Sequence, residues 1–195
     1  MKDLSRDEAL FHVEQYLKEY FPGLSPESFI ANTVLIEEEY FKWNSKINIS
    51  AIREHSGFWV KHVIDSLCLC HYLRLNNTPK QTFYDIGSGA GFPGLIMSLC
   101  LDAKIYLVEP VKKKGDFISR CLRKLGLNAE LVNKRYQDIS SIEDQSVIVS
   151  RALGSYSDMC RYFLDIDKRV ELILMTTRKE LEKMPESDHD ETDLQ

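Results

Sequence analysis

The second half of the chain alternates short apolar runs with amphipathic helical stretches, and this alternation constrains the fold more than any other feature. The apolar runs are TFYDI, KIYLVE, AELVN, VIVSR and VELILMT. The helical stretches are PGLIMSLCL, KKGDFISRCLRKL, YSDMCRYFL and RKELEKM. Strands that are apolar along their whole length and separated by helices are typical of a parallel sheet covered on both faces. We therefore predict an α/β fold with a mainly parallel sheet.

The first part of the chain has helical periodicity instead. DEALFHVEQYLKEYF and GFWVKHVIDSLCLCHYL repeat apolar residues at helical spacing, and Ser25 followed by Pro26 fits the start of a further helix between them. The final stretch, ESDHDETDLQ, is polar and acidic and is predicted to be disordered. These patterns divide the chain into an N-terminal helical extension at 1–76, an α/β core at 77–185 and an acidic tail at 186–195.

The composition narrows the setting in which the chain works. No apolar run is long enough to span a bilayer, and the start, MKDLSRDEALF, carries acids and has no apolar signal region. We predict a cytoplasmic protein with no membrane partner. The 5 cysteines include no CxxC pair, and they form no ligand cluster with the histidines. Buried thiols are therefore expected rather than disulfides or zinc, and no metal site is predicted.

The charge of −5 is unevenly distributed. Residues 1–40 carry 3 Lys or Arg against 9 Asp or Glu, and residues 180–195 carry 1 against 7, so residues 41–179 have a charge of +7. The basic groups of this middle region are bunched at 112–114, 120–124, 134–135 and 168–169. A basic face suits a polyanion such as RNA, although any single cluster is better explained as a solvated helix face.

Four glycines lie within eight positions in DIGSGAGFPG, directly after the run TFYDI and before a helix. In an open α/β sheet, ligands bind at the carboxyl ends of the strands, where such a turn lies. A turn without side chains lets a ligand lie on the backbone, with N–H groups of the helix end facing it. The turn is therefore predicted to be a cofactor site.

Two cofactor classes fit this turn. Gly89, Gly91 and Gly94 match the dinucleotide pattern GxGxxG. However, a carboxylate at Asp85, at the strand end, would repel a pyrophosphate and suits an ammonium or sulfonium group. Glu109, which closes the next strand, is placed to accept hydrogen bonds from ribose hydroxyls. The two acids favour S-adenosylmethionine, and a NAD-dependent oxidoreductase is the alternative.

Four stretches resemble one known family in the same order. They are KWNSKINISAI at 42–52, KHVIDSL at 61–67, DIGSGAGFPG at 85–94 and VSRAL at 149–153. The chain resembles the GidB (RsmG) family, which are S-adenosylmethionine-dependent guanine-N7 methyltransferases of 16S ribosomal RNA. The resemblance implies a Rossmann-like class I methyltransferase fold and a partner that is 16S rRNA or the small ribosomal subunit, not DNA.

The pattern and the resemblance together imply roles for individual residues. The predicted cofactor-binding residues are Asp85, Gly87, Ser88, Gly89, Gly91, Phe92, Glu109, Arg135, Tyr136 and Arg151. The predicted RNA-binding residues are Lys113, Lys114, Arg123 and His62. Phe92 and Tyr136 are also candidates for stacking on bases. No catalytic residue is expected, because N7 of guanine has a free lone pair and no proton to lose, and proximity suffices.

Nothing after RKELEKMP resembles the last two strands of the family. The sequence leaves open whether that strand pair is present, and without it VELILMT would be an exposed edge. Two other functions also stay open: a methyltransferase acting on another substrate, and a non-catalytic RNA-binding relative.

Overall fold

A computed structural model describes residues 4–76, 82–151, 160–163 and 168–176. Five strands form one parallel sheet in the order β3-β2-β1-β4-β5. The strands are β1 (Thr82–Ile86), β2 (Lys104–Val108), β3 (Ala129–Val132), β4 (Ser146–Arg151) and β5 (Val170–Met175). The prediction of a parallel α/β sheet is confirmed. The strand order reverses between β1 and β4, which places the ligand crevice at the carboxyl ends of these two strands.

The helices are α1 (Arg6–Tyr20), α2 (Pro26–Ile47), α3 (His55–Phe58), α4 (Asp65–Leu75), α5 (Gly94–Cys100) and α6 (Lys112–Leu125). A π-helical turn, Trp59–Ile64, joins α3 to α4. The sequence predicts one regular α-helix over this region, whereas the structure has a wider π-helical turn within it. Such π turns are rare and occur frequently at functional sites.

Local capping explains where the first two helices begin. Ser5 caps α1 in a reciprocal arrangement with Glu8, and the Ser25 side chain accepts a hydrogen bond from the backbone N–H of Ser28 at the start of α2. Pro26 occupies the first helical position, where its missing N–H is not needed. The predicted start of α2 is confirmed.

The N-terminal helices share a hydrophobic core with the sheet. Ile36 and Tyr40 of α2 belong to the same buried cluster as Phe83 of β1, Leu107 of β2 and Phe117 of α6. The helical extension is thus packed onto the α/β unit, and its side chains reach the elements that carry the predicted cofactor site. The predicted domain boundary near residue 77 lies outside the described residues.

Ion pairs between the two parts of the chain correct the expected charge distribution. The Glu39 carboxylate on α2, 5% exposed, accepts hydrogen bonds from Arg120 Nε at 2.5 Å and from Lys124 Nζ at 3.2 Å. The hydrogen bond from Arg120 is the main cause that lowers the pKa of Glu39 to about 2, and the bond from Lys124 adds to it, although burial opposes the shift. Arg169 pairs with Asp144 at 2.6 Å. Several bases that the sequence assigns to a polyanion face are therefore neutralised by acids from distant parts of the chain.

The C-terminal predictions fall largely outside the described residues. Among the described residues, β5 pairs with β4 alone. The helix RKELEKM, any following strand pair and the acidic tail lie in residues 177–195, beyond the described ranges. In the described ranges, no helix combines the length and apolar character needed to cross a bilayer.

Candidate functional site

The turn between β1 and α5 needs its glycines for two different reasons. Gly87, Gly89 and Gly91 have φ values of 73°, 60° and 82°, in the left-handed region that favours glycine. At Gly94 the reason is close packing, since a Cβ atom would lie 2.7 Å from Asp85 Oδ2 and from Leu107. Three glycines thus shape the turn, and the fourth lets α5 approach the ends of β1 and β2.

The amide groups of the turn donate within the protein. The N–H groups of Gly87 and Ser88 donate to the Val108 carbonyl at 2.9 and 3.1 Å, and that of Gly91 donates to the Ser88 carbonyl at 2.8 Å. The end of β2 lies close enough to take up two of these amides, so in this turn they are not directed at a ligand. Phosphate-binding turns keep such donors for the phosphate oxygens, so this arrangement suits a phosphate-free cofactor.

The Asp85 carboxyl group is buried beneath the turn with one oxygen unpaired. Asp85 is only 1% exposed. Its Oδ2 accepts a hydrogen bond from Gly94 N at 2.9 Å, whereas Oδ1 has no hydrogen-bond partner among the described residues. Burial raises the pKa of Asp85 to about 6, although the hydrogen bond from Gly94 opposes the shift. A buried acceptor without a donor is unfavourable by about 1–3 kcal/mol, so a cationic donor placed here would be bound strongly.

The pKa of Asp85 predicts how cofactor binding depends on pH. Below about 6 the carboxyl group is protonated and no longer attracts an ammonium group. The affinity for S-adenosylmethionine should therefore fall about tenfold per pH unit below that value and stay level above it, where the competing proton is absent. Calorimetric titrations between pH 5 and pH 8 measure this, and a flat profile down to pH 5 would contradict the assignment of Asp85.

Glu109 lies beside the same turn and is 3% exposed. One of its oxygens accepts a hydrogen bond from Gly89 N and the other from Val111 N, both at 2.8 Å. Val111 is the N-cap residue of α6 and its side chain makes no capping hydrogen bond, so the carboxylate satisfies an amide that the helix leaves unpaired. Glu109 therefore ties the glycine turn to α6. A carboxylate can accept about four hydrogen bonds. Glu109 can therefore take the predicted hydrogen bonds from ribose hydroxyls while it keeps those from Gly89 and Val111.

Three further residues that the sequence predicts to bind the cofactor, Ser88, Phe92 and Arg151, lie in the turn and at the end of β4. Ser88 is buried, and its hydroxyl donates to the backbone carbonyl of Asp85 at 2.9 Å. Phe92 is 2% exposed and its ring contacts the ring of His62, which is 5% exposed. Arg151, at the end of β4, donates to His62 Nδ1 at 2.8 Å. The structure brings these groups together at the carboxyl ends of β1 and β4, but it leaves neither ring free to stack on a base.

The predicted groups beyond β2 and β3 are more dispersed. Lys113 and Lys114 lie in the first turn of α6, and Arg135 is exposed just after β3, at the same edge of the sheet. Tyr136 is partly buried and packs edge to face against Tyr162 at 4.9 Å. Arg123 lies at the other end of α6, about 15 Å from Lys113 along the helix axis. The structure thus separates Arg123 from the other predicted RNA contacts.

Some residues at this site belong to none of the sequence motifs and were not predicted as site residues. Tyr40 of α2 and Phe58 of α3 place their rings 6.4 and 5.5 Å from that of Phe92, and Asn133 donates to the Glu109 carbonyl at 2.6 Å. The first two read as ordinary core positions in the sequence, and only their apolar spacing indicated burial. Among the described residues, no three His, Cys, Asp or Glu side chains are grouped to hold a metal ion.

The chain is similar to proteins of one family over most of its length. A family model described as GidB, rRNA small subunit methyltransferase G, matches residues 34–194. The ribosomal RNA small subunit methyltransferase G of Rickettsia prowazekii is 29% identical over 146 residues, which are 75% of this chain and 74% of that protein. The protein of the same name from Rickettsia felis is 26% identical over 162 residues, 83% of this chain and 82% of that protein.

Proposed function

Because the chain belongs to the GidB family, the rRNA small subunit methyltransferases G, we propose that it methylates N7 of a guanine in small-subunit ribosomal RNA. The methyl donor is S-adenosylmethionine. The observation that carries this proposal is the Asp85 carboxyl group, buried under a glycine turn with one oxygen unpaired. That oxygen lies beside a turn in which the amides of Gly87, Ser88 and Gly91 already donate within the protein, which suits a cationic amino acid better than a pyrophosphate.

The residues of the turn fit the parts of this cofactor. Asp85 Oδ1 would accept a hydrogen bond from its ammonium group, and Glu109 would accept hydrogen bonds from its ribose hydroxyls. The position of Gly89 leaves room for the cofactor to lie against the backbone, since a Cβ atom there would meet only the Gly87 carbonyl oxygen, at 3.8 Å. Arg135 and Tyr136, which follow β3 at the same edge of the sheet, would flank the adenine. These assignments follow the positions of the residues around the carboxyl ends of β1, β2 and β3.

The chemistry asks little of the side chains. S-adenosylmethionine supplies an electrophilic methyl group on a sulfonium when it is bound. The N7 atom of guanine carries a free lone pair and no proton, so the chain needs no general base. Its residues bind and orient the two reactants so that the reacting atoms lie about 3–3.5 Å apart and in line.

The first turn of α6 is the proposed RNA contact. Lys113 and Lys114 stand beside the cofactor site, and neither forms an ion pair with a described residue. Lysines are unfavourable at a helix N-terminus because the macrodipole is positive there, so this placement gains from a bound phosphate. His62 is also predicted to bind RNA. Its ring is buried, so its effect on RNA binding would be indirect, through the residues that cover it.

Substitution at the two ends of α6 tests this contact. Lys113→Ala should weaken binding to small-subunit rRNA a few-fold and reduce the slope of log affinity against log salt by about 1, because one phosphate contact is lost. Arg123→Ala removes an exposed positive charge from the same helix about 15 Å away and serves as the matched control. Filter binding at several salt concentrations measures both variants. Equal effects of the two substitutions would show that only the overall charge matters.

The proposed function is tested by methyl transfer. Purified protein is incubated with methyl-labelled S-adenosylmethionine and small ribosomal subunits that lack the modification, and labelled N7-methylguanine is located by chemical cleavage of the rRNA. We expect label in the rRNA at one guanine. Label in protein or small molecules would support a methyltransferase with another substrate, and cofactor binding without transfer would support a non-catalytic RNA-binding relative. Calorimetry with NAD tests the oxidoreductase alternative, for which we expect no binding.

A further inference from the structure

The N-terminal helices touch the glycine turn through one pair of stacked rings. The imidazole of His62, in the π-helical turn Trp59–Ile64, lies face to face with the ring of Phe92 at a centroid distance of 4.4 Å and an angle of 7°. Tyr40 and Phe58 meet the ring of Phe92 nearly edge-on, at interplanar angles of 70° and 86°. Phe92 is thus a residue of the cofactor turn whose side chain is enclosed by rings from the helical extension.

The other side of the His62 ring is held by polar contacts. Arg151 Nη2 donates to His62 Nδ1 at 2.8 Å, and Arg151 Nη1 donates to the Lys61 carbonyl at 2.6 Å. Because arginine can only donate, Nδ1 is an acceptor and the proton of the neutral ring is on Nε2. Nε2 faces Tyr40 Oη at 3.4 Å and Ser50 Oγ at 3.5 Å. Burial, with the charges of Arg151 and Lys61, lowers the pKa of His62 to about 3, so the ring is neutral at any working pH.

The position of the Phe92 ring governs the backbone of the turn. The N–H of Phe92 donates to the Ser88 carbonyl at 3.1 Å, alongside that of Gly91 at 2.8 Å. The hydroxyl of Ser88 in turn donates to the carbonyl of Asp85. Two residues after Phe92, Gly94 N reaches the Asp85 carboxylate. A shift of the Phe92 ring would therefore move both the turn and the carboxylate beneath it.

We infer that His62 is a positioning residue for cofactor binding: its ring, oriented by Arg151, holds Phe92 and so keeps the turn at 88–92 in the shape that receives S-adenosylmethionine. This inference rests on the proposed function for the identity of the ligand. It gives the N-terminal helices a part in cofactor binding that is independent of RNA. It also assigns Arg151 to the orientation of His62, since both of its terminal nitrogens are engaged by the extension.

The test measures S-adenosylmethionine affinity by calorimetry on the full chain at pH 7.5 without RNA. His62→Leu removes the stacked ring and the acceptor for Arg151, and should weaken binding about three- to tenfold, the worth of an aromatic pair. Phe92→Leu should have a similar effect. The double variant should bind no more weakly than the weaker single variant, because both act on one contact. His62→Phe restores the stacking and should bind more tightly than His62→Leu.

A matched control separates positioning from general loss of packing. Phe41 and His55 form another ring pair in the same helices, at 4.1 Å and 38°, that does not contact Phe92. Phe41→Leu should lower the free energy of unfolding but leave the affinity within twofold of wild type. Wild-type affinity in His62→Leu and Phe92→Leu, additive losses in the double variant, or an equal loss in Phe41→Leu would each overturn the inference. Wild-type protein that binds no S-adenosylmethionine would instead overturn the proposed function, and the inference with it.

Discussion

Replacement of Asp85 by asparagine is expected to abolish S-adenosylmethionine binding while leaving the protein folded. Asparagine has the same shape, and its oxygen can keep the hydrogen bond from Gly94 N that now measures 2.9 Å. What it loses is the negative charge that a buried ammonium group needs. An unpaired buried charge is unfavourable by about 3–5 kcal/mol, so the affinity should fall at least about 100-fold. Calorimetry at pH 7.5 measures this loss.

The same substitution should make the cofactor-free protein more stable, not less. The pKa of Asp85 is raised from 3.8 to about 6 by burial, so the folded state binds more protons than the unfolded state between these values. Ionised Asp85 therefore opposes folding above pH 6, by up to about 3 kcal/mol. Asp85→Asn removes this opposition, and its gain in stability should shrink as the pH falls below about 6 and be nearly absent at about pH 4. Urea denaturation at pH 7.5 and pH 4 measures the difference.

Asp102→Asn is the control for the charge effect. Asp102 is exposed in the turn between α5 and β2, at the amino-terminal edge of the sheet and away from the glycine turn. Its replacement should change neither affinity nor stability. Tight binding in Asp85→Asn would remove the basis of the proposed cofactor site. Loss of binding together with loss of stability at pH 7.5 would instead mean that Asp85 supports the turn and does not contact the ligand.

The sheet could be predicted from the sequence because its causes are local. The five apolar runs are the five strands of the sheet, and the stretches between them repeat apolar residues at helical spacing. The start of α2 was equally predictable, since Ser25 and Pro26 act within one turn of the helix. The position of Asp85 at the end of β1 followed from the same local pattern. Its unpaired oxygen did not, because burial depends on what packs above the strand.

The differences arise where distant residues meet. Glu39 neutralises Arg120 across a separation of 81 residues, which no local pattern of charge reveals. Glu109 takes up the amide of Gly89 because the register of β1 and β2 places the two strand ends side by side. The sequence analysis predicts that Phe92 binds the cofactor and is a candidate for stacking on a base. The helical extension covers it instead, and that packing is a property of the tertiary fold.

Gly91→Ala is expected to lower the free energy of unfolding by about 2–4 kcal/mol, for two separable reasons. The backbone at this position has a φ of 82°, where a side chain is strained by about 1 kcal/mol or more. In addition, the new Cβ would lie 2.6 Å from Leu95 Cδ1 and 2.9 Å from Leu95 Cγ. Leu95 is completely buried, so overpacking against it adds about 1–3 kcal/mol.

Gly126→Ala separates the two contributions. Gly126 ends α6 with a φ of 59°, and a Cβ there would meet nothing within 4 Å, so only the backbone strain of about 1 kcal/mol applies. In the background of Gly91→Ala, a further Leu95→Ala change should be less destabilising than in the wild type, because the smaller side chain relieves the contact. Chemical denaturation of the four variants measures this coupling. Since the turn at 88–92 is the proposed cofactor site, Gly91→Ala should weaken S-adenosylmethionine binding while Gly126→Ala does not. Equal stability losses at the two glycines would show that Leu95 does not crowd the turn.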